Sequence, residues 1–192
     1  LLSDNVEDTF NSISVDSDTS TSDTVMLFSN PINEINVSNN FKKISNTVRM
    51  VMRDLAYKII SDGEGIKKLI KVEVKKAKNK SQAKKIAFAI VNSPLVKTAI
   101  AGEDANWGRI VMAIGKTKEK INQDKIIIKF GDNILAKDGK IFNKINLSKI
   151  NKYMKNKFID IQVNLNSGKA SSIVYGNDLN NEYIRINADY RS

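Results

Sequence analysis

The chain reads as an α/β (α+β) protein, because helical and strand patterns alternate along it and neither class dominates. Three observations predict this. Apolar residues recur at i, i+3, i+4 and i+7 in several stretches, of which Phe41–Ile59 is the longest. Apolar runs that alternate with polar residues or stand between turn residues mark strands, clearest at Ile70–Val74, Lys125–Phe130 and Phe158–Leu165. Cap residues and glycines punctuate the change from one period to the other. A length of 192 residues allows one or two compact domains with a substantial core, and no internal repeat is evident.

Phe10–Val15 alternates well enough for a strand through Ile13 and Val15, and Val25–Phe28 is a continuous apolar run of the kind covered on both faces. Between them lie the nine small polar residues Asp16–Thr24. An asparagine-rich loop, Asn30–Asn40, leads to a helix whose stripe Phe41, Ile44, Val48, Val51, Leu55 and Ile59 reads as core-facing, with Lys42, Lys43, Arg49, Arg53 and Lys58 opposite. Asp62-Gly63-Glu64-Gly65 stops that helix. Ile70, Val72 and Val74 then alternate with lysine and glutamate as in a half-buried strand.

From Ser81, the residues Ala83, Ile86, Ala87 and Ile90 define the next amphipathic helix. Ser93 can cap a short helix that opens on Pro94, where the missing N–H costs nothing, and Gly102 can end it with a left-handed residue. Asn106 can cap another through Trp107, Ile110, Val111 and Ile114, closed by Gly115. Lys125–Phe130 and Ile134–Ala136 follow as strands, and Asp138-Gly139 is a hairpin-turn signal. Ser148 can cap a short helix through Ile150, Tyr153 and Met154. Phe158–Leu165 and Ala170–Tyr175 are strands joined by the turn Asn166-Ser167-Gly168, and Tyr183, Ile184, Ile186 and Tyr190 describe a tail that packs.

Composition removes several chemistries. Cysteine is absent, which excludes disulfides, thiolate metal sites and a cysteine nucleophile and fits a reducing cytoplasm. Histidine is absent too, so a Ser-His-Asp arrangement and most zinc sites are excluded. The net charge of +10 raises nucleic acid or an acidic membrane as partners, but the excess is lysine on alternating, solvated positions. Arginine, whose flat fork suits phosphate and base edges, stands only at Arg49, Arg53, Arg109, Arg185 and Arg191. The reading is therefore no nucleic acid and no membrane partner. Asp16, Asp18 and Ser20 have the opening spacing of a calcium loop, yet Thr21 stands where glycine is needed and Leu27 where a bidentate glutamate is needed, so no metal is expected.

Two motifs remain. The run Asn92–Ile110 packs two helix boundaries and the only tryptophan around the elbow Gly102-Glu103-Asp104-Ala105-Asn106, which by pattern is a connection. In Gly63-Glu64-Gly65 a carboxylate is presented by backbone alone, on a bend where a ligand can approach, and it suits an ammonium group. Spacing alone favours a solvent-exposed turn acid.

Asn92–Thr98 and Gly102–Ile110 closely resemble, without a gap, a run of the ornithine acetyltransferases, the bifunctional glutamate N-acetyltransferases of arginine biosynthesis. Ser14–Thr24, which holds the polar run, is similar to their T-V-D-x-D-T-S-T-N-D-T pattern, with Ser14 and Ser22 replacing a threonine and an asparagine, and the chain ends in their I-N-A-x-Y-R-[ST] pattern. The resemblance runs from Phe10 to Ser192. It implies that Glu64, Asn187 and Ser192 bind substrate and that this chain contributes no catalytic residue. It also implies one precursor that cuts itself before a threonine, whose freed α-amine serves as base while its hydroxyl takes acetyl from N-acetylornithine and passes it to glutamate. That threonine is expected upstream of Leu1, since Thr9, Thr19, Thr21 and Thr24 are internal.

By the same resemblance the fold is part of a four-layer αββα sandwich, to which residues 1–64 contribute, followed by a C-terminal α/β domain at 65–192 whose tail returns to the active site. The expected partner is the α chain of the same precursor, in an α2β2 heterotetramer, inactive without it. No cofactor is expected, and acetyl-CoA enters as an alternative acetyl donor. The alternatives are a self-processed aminopeptidase or amidase of the same fold and a basic nucleic-acid-binding module. Glu64 and Asn187 are expected to converge on one amino-acid-sized cavity completed by a companion chain.

Overall fold

A computed structural model describes residues 1–30, 32 and 37–190. Its centre is a six-stranded mixed sheet in the order β4-β3-β2-β5-β1-β6, so the α/β class holds. The strands are β1 (Leu69–Ala77), β2 (Ile127–Phe130), β3 (Asn133–Lys137), β4 (Lys140–Ile141), β5 (Phe158–Asn164) and β6 (Ala170–Asn177). Only β1 and β5 run parallel, and the other pairs are antiparallel. In β1, Ile70, Val72 and Val74 are buried on one face, and their neighbours in register, Ile159, Ile161 and Val163 of β5, continue the same apolar layer.

Helices α3 (Lys80–Val91), α4 (Pro94–Ala101), α5 (Trp107–Lys116) and α6 (Leu147–Met154) contribute to that layer through Ile86, Ile90, Ile100, Ile110, Ile114 and Met154. Burying side chains of this size stabilises by about 2 kcal/mol each, which makes the layer the main source of cohesion. The opposite face of the sheet is polar: Lys71 lies 3.5 Å from both Glu73 and Asp160, and Lys75 lies 3.2 Å from Glu73. Asp160 and Glu73 hold the Lys71 ammonium in its charged form and raise its pKa against the opposing cost of burial.

The start signals hold with two shifts. Ser93 caps α4 and Asn106 caps α5 as the sequence predicts, whereas α6 is capped by Asn146 and not by Ser148. Gly102 is not left-handed; the positive φ of 60° falls on Glu103, one residue along. A glutamate tolerates that conformation here because it is anchored: the buried Lys68 ammonium reaches Glu103 at 3.1 Å and donates to the carbonyls of Met154 at 2.6 Å and Asn156 at 3.3 Å. The elbow is thus a clamp that ties α4–α5 to the start of β1 and the end of α6. Asp138 and Gly139 both take positive φ, as a tight hairpin between β3 and β4 requires.

Before the sheet, α1 (Leu2–Val6) packs on the long helix α2 (Val37–Ser61), with Asn5 accepting from Arg49 at 2.7 Å and donating to Ser45 at 3.1 Å. The expected strand at Phe10–Val15 is instead a 3₁₀ turn at Phe10–Ser12, followed by a single bridge from Ile13 to Tyr175. The segment touches the edge strand β6, and the hydroxyls of Ser12 and Thr9 turn back to local carbonyls, which curls the chain out of a ladder.

Val25–Phe28 forms no strand, and its residues are exposed, Phe28 by 84%. A continuous apolar run asks for cover on both faces, and no described part of this chain supplies it. The core-facing stripe expected on α2 is also corrected. Ser45, Met52, Ala56 and Ile60 are the buried face, while Phe41, Val51, Leu55 and Ile59 are exposed and Ile44 and Val48 half-buried. The inward stripe is displaced by one position from the one the sequence suggests, so the residues expected to face the core look outward.

Lys68→Met is expected to lower stability by about 2 kcal/mol, since it leaves buried carbonyls without their donor. Lys58→Ala, which breaks the exposed 2.8 Å pair with Asp54, should change stability by less than about 0.5 kcal/mol. Urea unfolding midpoints at constant m-value compare the two.

Candidate functional site

The antiparallel register of β1 and β6 places Leu69 opposite Asn177. The chain entering β1 and the chain leaving β6 therefore start from the same point, and the first of these is the Gly63-Glu64-Gly65 turn. The second continues through Asp178 to α7 (Asn181–Asp189). Asp178 knits them together. Its buried carboxylate accepts the backbone N–H groups of Lys67 and Lys68, each at 2.9 Å, and its other oxygen takes the Asn180 amide at 3.0 Å. Asn180 caps α7 through the Glu182 N–H at 2.9 Å and donates to the Gly65 carbonyl at 2.8 Å.

Both glycines are dictated by this approach. A Cβ on Gly65, whose φ is +66°, would stand 2.5 Å from the Tyr183 nitrogen, and one on Gly63 would stand 2.8 Å from the Asn177 carboxamide. With the turn pressed against the first turn of α7, Glu64 and Asn187 meet. The Asn187 amide donates to the Glu64 carboxylate at 2.8 Å across 123 positions of sequence, and to the Tyr183 carbonyl at 3.1 Å. Ser192 lies outside the described residues. The tail packs less than its composition suggests: Tyr183 and Ile186 are half-buried, while Ile184 and Tyr190 are exposed.

Glu64 and Asn187 are themselves exposed, and the pair forms an open acceptor surface. A cleft of about 520 Å³ between α2 and the ends of β5 and β6 is lined by Arg53, Tyr57, Phe158 and Tyr175, and neither Glu64 nor Asn187 lines it. Around the pair, Tyr183 donates to the Asp16 carboxylate at 2.9 Å; burial and that bond push the phenol up to about 12, with Glu64 and Asp18 adding to the negative field. Arg185 holds the Glu182 carboxyl below its usual range. Among the described residues no group of acids is placed to hold a metal ion. A carboxylate, a carboxamide oxygen and a neutral phenol together offer acceptors to a cationic amine, their own donors being taken by Glu64, Tyr183 and Asp16, and contain no nucleophile.

Five residues of this assembly were not singled out by the sequence: Lys97, Asn177, Asp178, Asn180 and Asp16 as a partner of Tyr183. Lys97 carried a signal, because it falls on the apolar face of α4 between Val96 and Ile100. It is buried, and its ammonium donates to the Val15 carbonyl at 2.5 Å, the Asn177 carbonyl at 2.7 Å and the Asn177 side-chain oxygen at 2.9 Å. Burial pushes this ammonium down to about 8, against the pull of Asp178 and Asp16. The polar run itself forms local turns, with Asp16 accepting from the Asp18 N–H and Ser20 from the Ser22 N–H.

The ArgJ family model matches residues 1–192. The chain is 45% identical over 197 aligned positions to the arginine biosynthesis bifunctional protein ArgJ of Bartonella henselae, and 44% identical over 200 to that of Brucella melitensis; each alignment covers 100% of this chain and 48% of the relative. The chain therefore spans about half the length of the curated relatives it matches. A crystal structure of the protein of the same name from Bacillus halodurans superposes with a TM-score of 0.92 at 39% identity, over 98% of this chain and 91% of that one.

Gly65→Ala is expected to detach α7 from the turn, because the strained φ and the overlap with the Tyr183 nitrogen cannot both be relieved in place. Hydrogen exchange checks this: amides of α7 should lose at least tenfold protection, about 1.4 kcal/mol, while those of β1 and β5 keep theirs.

Proposed function

The chain belongs to the ArgJ family, and from that premise we propose that it is the β part of a glutamate N-acetyltransferase, which moves acetyl from N-acetylornithine to glutamate in arginine biosynthesis. The observation that carries this is the contact between Glu64 and Asn187. Two side chains that the family resemblance nominates as substrate-binding, far apart in sequence, stand within one hydrogen bond on a surface that the β1–β6 register builds. Glu64 takes the substrate ammonium, Asn187 holds Glu64 in place and offers its own carbonyl oxygen, and Ser192 is the third contact of the same substrate.

In this proposal the chemistry belongs to the N-terminal threonine that self-cleavage of the family's precursor frees. Its hydroxyl attacks the acetyl carbonyl while its own α-amine takes the proton, and ornithine leaves with that proton as the acetyl ester forms. Glutamate's amine then attacks the ester, and the threonine oxygen recovers a proton from it. The scheme needs no histidine, cysteine or cofactor, and acetyl-CoA can enter as a second donor to the same threonine.

The partner in this proposal is the α chain of the same precursor, in an α2β2 assembly that lacks activity without it, in the cytoplasm. Its oxyanion donors and sandwich layers would cover what this chain leaves bare: the Val25–Phe28 run and the outward stripe of α2, where Val51 is 55% and Ile59 53% exposed. The extents of the matches favour it as well, since the Bacillus halodurans chain is covered over 91% of its length and the curated relatives over 48%.

In the complete two-part enzyme, Glu64→Gln should lower kcat/KM for N-acetylornithine and glutamate at least tenfold, the loss of about 1.5–3 kcal/mol expected for a charge-assisted hydrogen bond. Unchanged kinetics would overturn the assignment. Release of free acetate in place of acetylglutamate would assign the amidase alternative.

A further inference from the structure

We propose that Lys97 is a positioning residue for the substrate surface, which holds the polar run against α7 and so sets where Glu64 and Asn187 stand. The inference rests on the reading of Glu64 and Asn187 as substrate-binding and extends it to residues that touch no substrate.

The geometry carries it. Lys97 sits on α4, and its ammonium is shared between two segments at the point where their pairing, the Ile13–Tyr175 bridge and the Ser14 N–H to Tyr175 carbonyl bond, gives out. One is Val15, the residue before Asp16; the other is Asn177, the last residue of β6 and the one before Asp178. The Lys97 backbone adds a further tie, its carbonyl accepting from the Leu179 N–H. On one side Asp178 fixes the Glu64 turn and, through Asn180, the start of α7. On the other, Asp16 accepts from Tyr183 on α7. Lys97 is therefore the point where both routes to α7 meet: one through β6 and the cap, one through the polar run and the phenol.

A lysine at this place is costly for stability alone, since burial opposes its charge, and an apolar residue between Val96 and Ile100 would pack without that cost. What an apolar residue cannot do is satisfy three oxygens at once and hold Val15 against Asn177. The role follows from that difference. If Lys97 acts through Val15 and Asp16, then Tyr183, the far end of the same route, shares its effect.

A double-mutant cycle in the complete two-part enzyme tests this. Lys97→Met should raise KM for glutamate and N-acetylornithine about tenfold with kcat within about threefold of wild type, and Tyr183→Phe should raise KM about fivefold. The double variant should be no worse than about tenfold, because the second change cuts a route already broken. Additive effects, about fiftyfold in the double variant, would overturn the proposal, as would KM values within twofold of wild type or a loss confined to kcat. Should Lys97→Met fail to fold, Lys97→Gln takes its place in the cycle, keeping a shorter, uncharged amide with two N–H donors where the ammonium had three. Glu64→Gln in the same assay separates the two claims. If it leaves KM unchanged, the substrate reading fails and this inference with it; if it raises KM while the Lys97 and Tyr183 variants do not, this inference alone fails.

Discussion

The pairing of β1 with β6 is the constraint on which the site depends. An antiparallel ladder fixes which residues emerge together at its end, and here the register that sets Leu69 against Asn177 sends the Gly63–Gly65 turn and α7 out side by side. A slip of one residue would turn either Val72 and Val74 or their partner Val174 out of the apolar layer, so the burial of all three enforces the register. The apolar face of the sheet thus governs the spacing of polar groups lying outside it. Asp178 converts that proximity into a fixed relation, because one carboxylate satisfies two otherwise unpaired N–H groups at the entry to β1 and the amide of the α7 cap.

Helix α2 shows how one element can serve two interfaces. Its inward face is narrow and made of Ser45, Met52, Ala56 and Ile60, with Tyr57 meeting Tyr175 edge to face at 6.4 Å on the outer side of β6. Its wider apolar stripe looks away. A helix that is apolar on more than one side has more than one surface to bury. The Val25–Phe28 run is exposed in the same way, Phe28 by 84%.

Much of the fold was legible in the sequence because it rests on local rules. The period of Ile70–Val74, the caps at Ser93 and Asn106 and the Asp138-Gly139 turn each depend on neighbours within a few positions, and each appears in the structure. Where local reading failed, tertiary context decided. The stripe on α2 was apolar as read, but which apolar stripe faces inward depends on how closely the helix can approach its neighbours. The Phe10–Val15 segment alternates like a strand, but hydroxyls that bond to nearby carbonyls competed with the ladder. At the site, the glycine-flanked Glu64 was visible as a presented carboxylate, and Asn187 only through family resemblance. Lys97 was visible as a lysine on an apolar face, a signal that means burial or error until the acceptors around it are known.

Those acceptors explain why two lysines lie buried in a chain with ample surface for the rest. Lys68 and Lys97 each collect oxygens from segments that no regular hydrogen-bond ladder joins: the ends of α6 and the elbow for Lys68, the ends of β6 and the polar run for Lys97. A flexible stem with three rotatable donors is suited to such irregular sets, where the planar fork of arginine would demand a fixed geometry. Both lie beside the entry to β1, one at each flank of the Asp178 carboxylate: the Lys68 backbone donates to it, and Asp178 pulls on the Lys97 charge. Buried charge contributes little to stability on balance, but it penalises every arrangement in which its partners are missing. Where four separate stretches of chain meet around Asp178, that penalty disfavours any arrangement in which the Glu64 turn, β6, the polar run and the α6 end lose their contacts with these two ammonium groups.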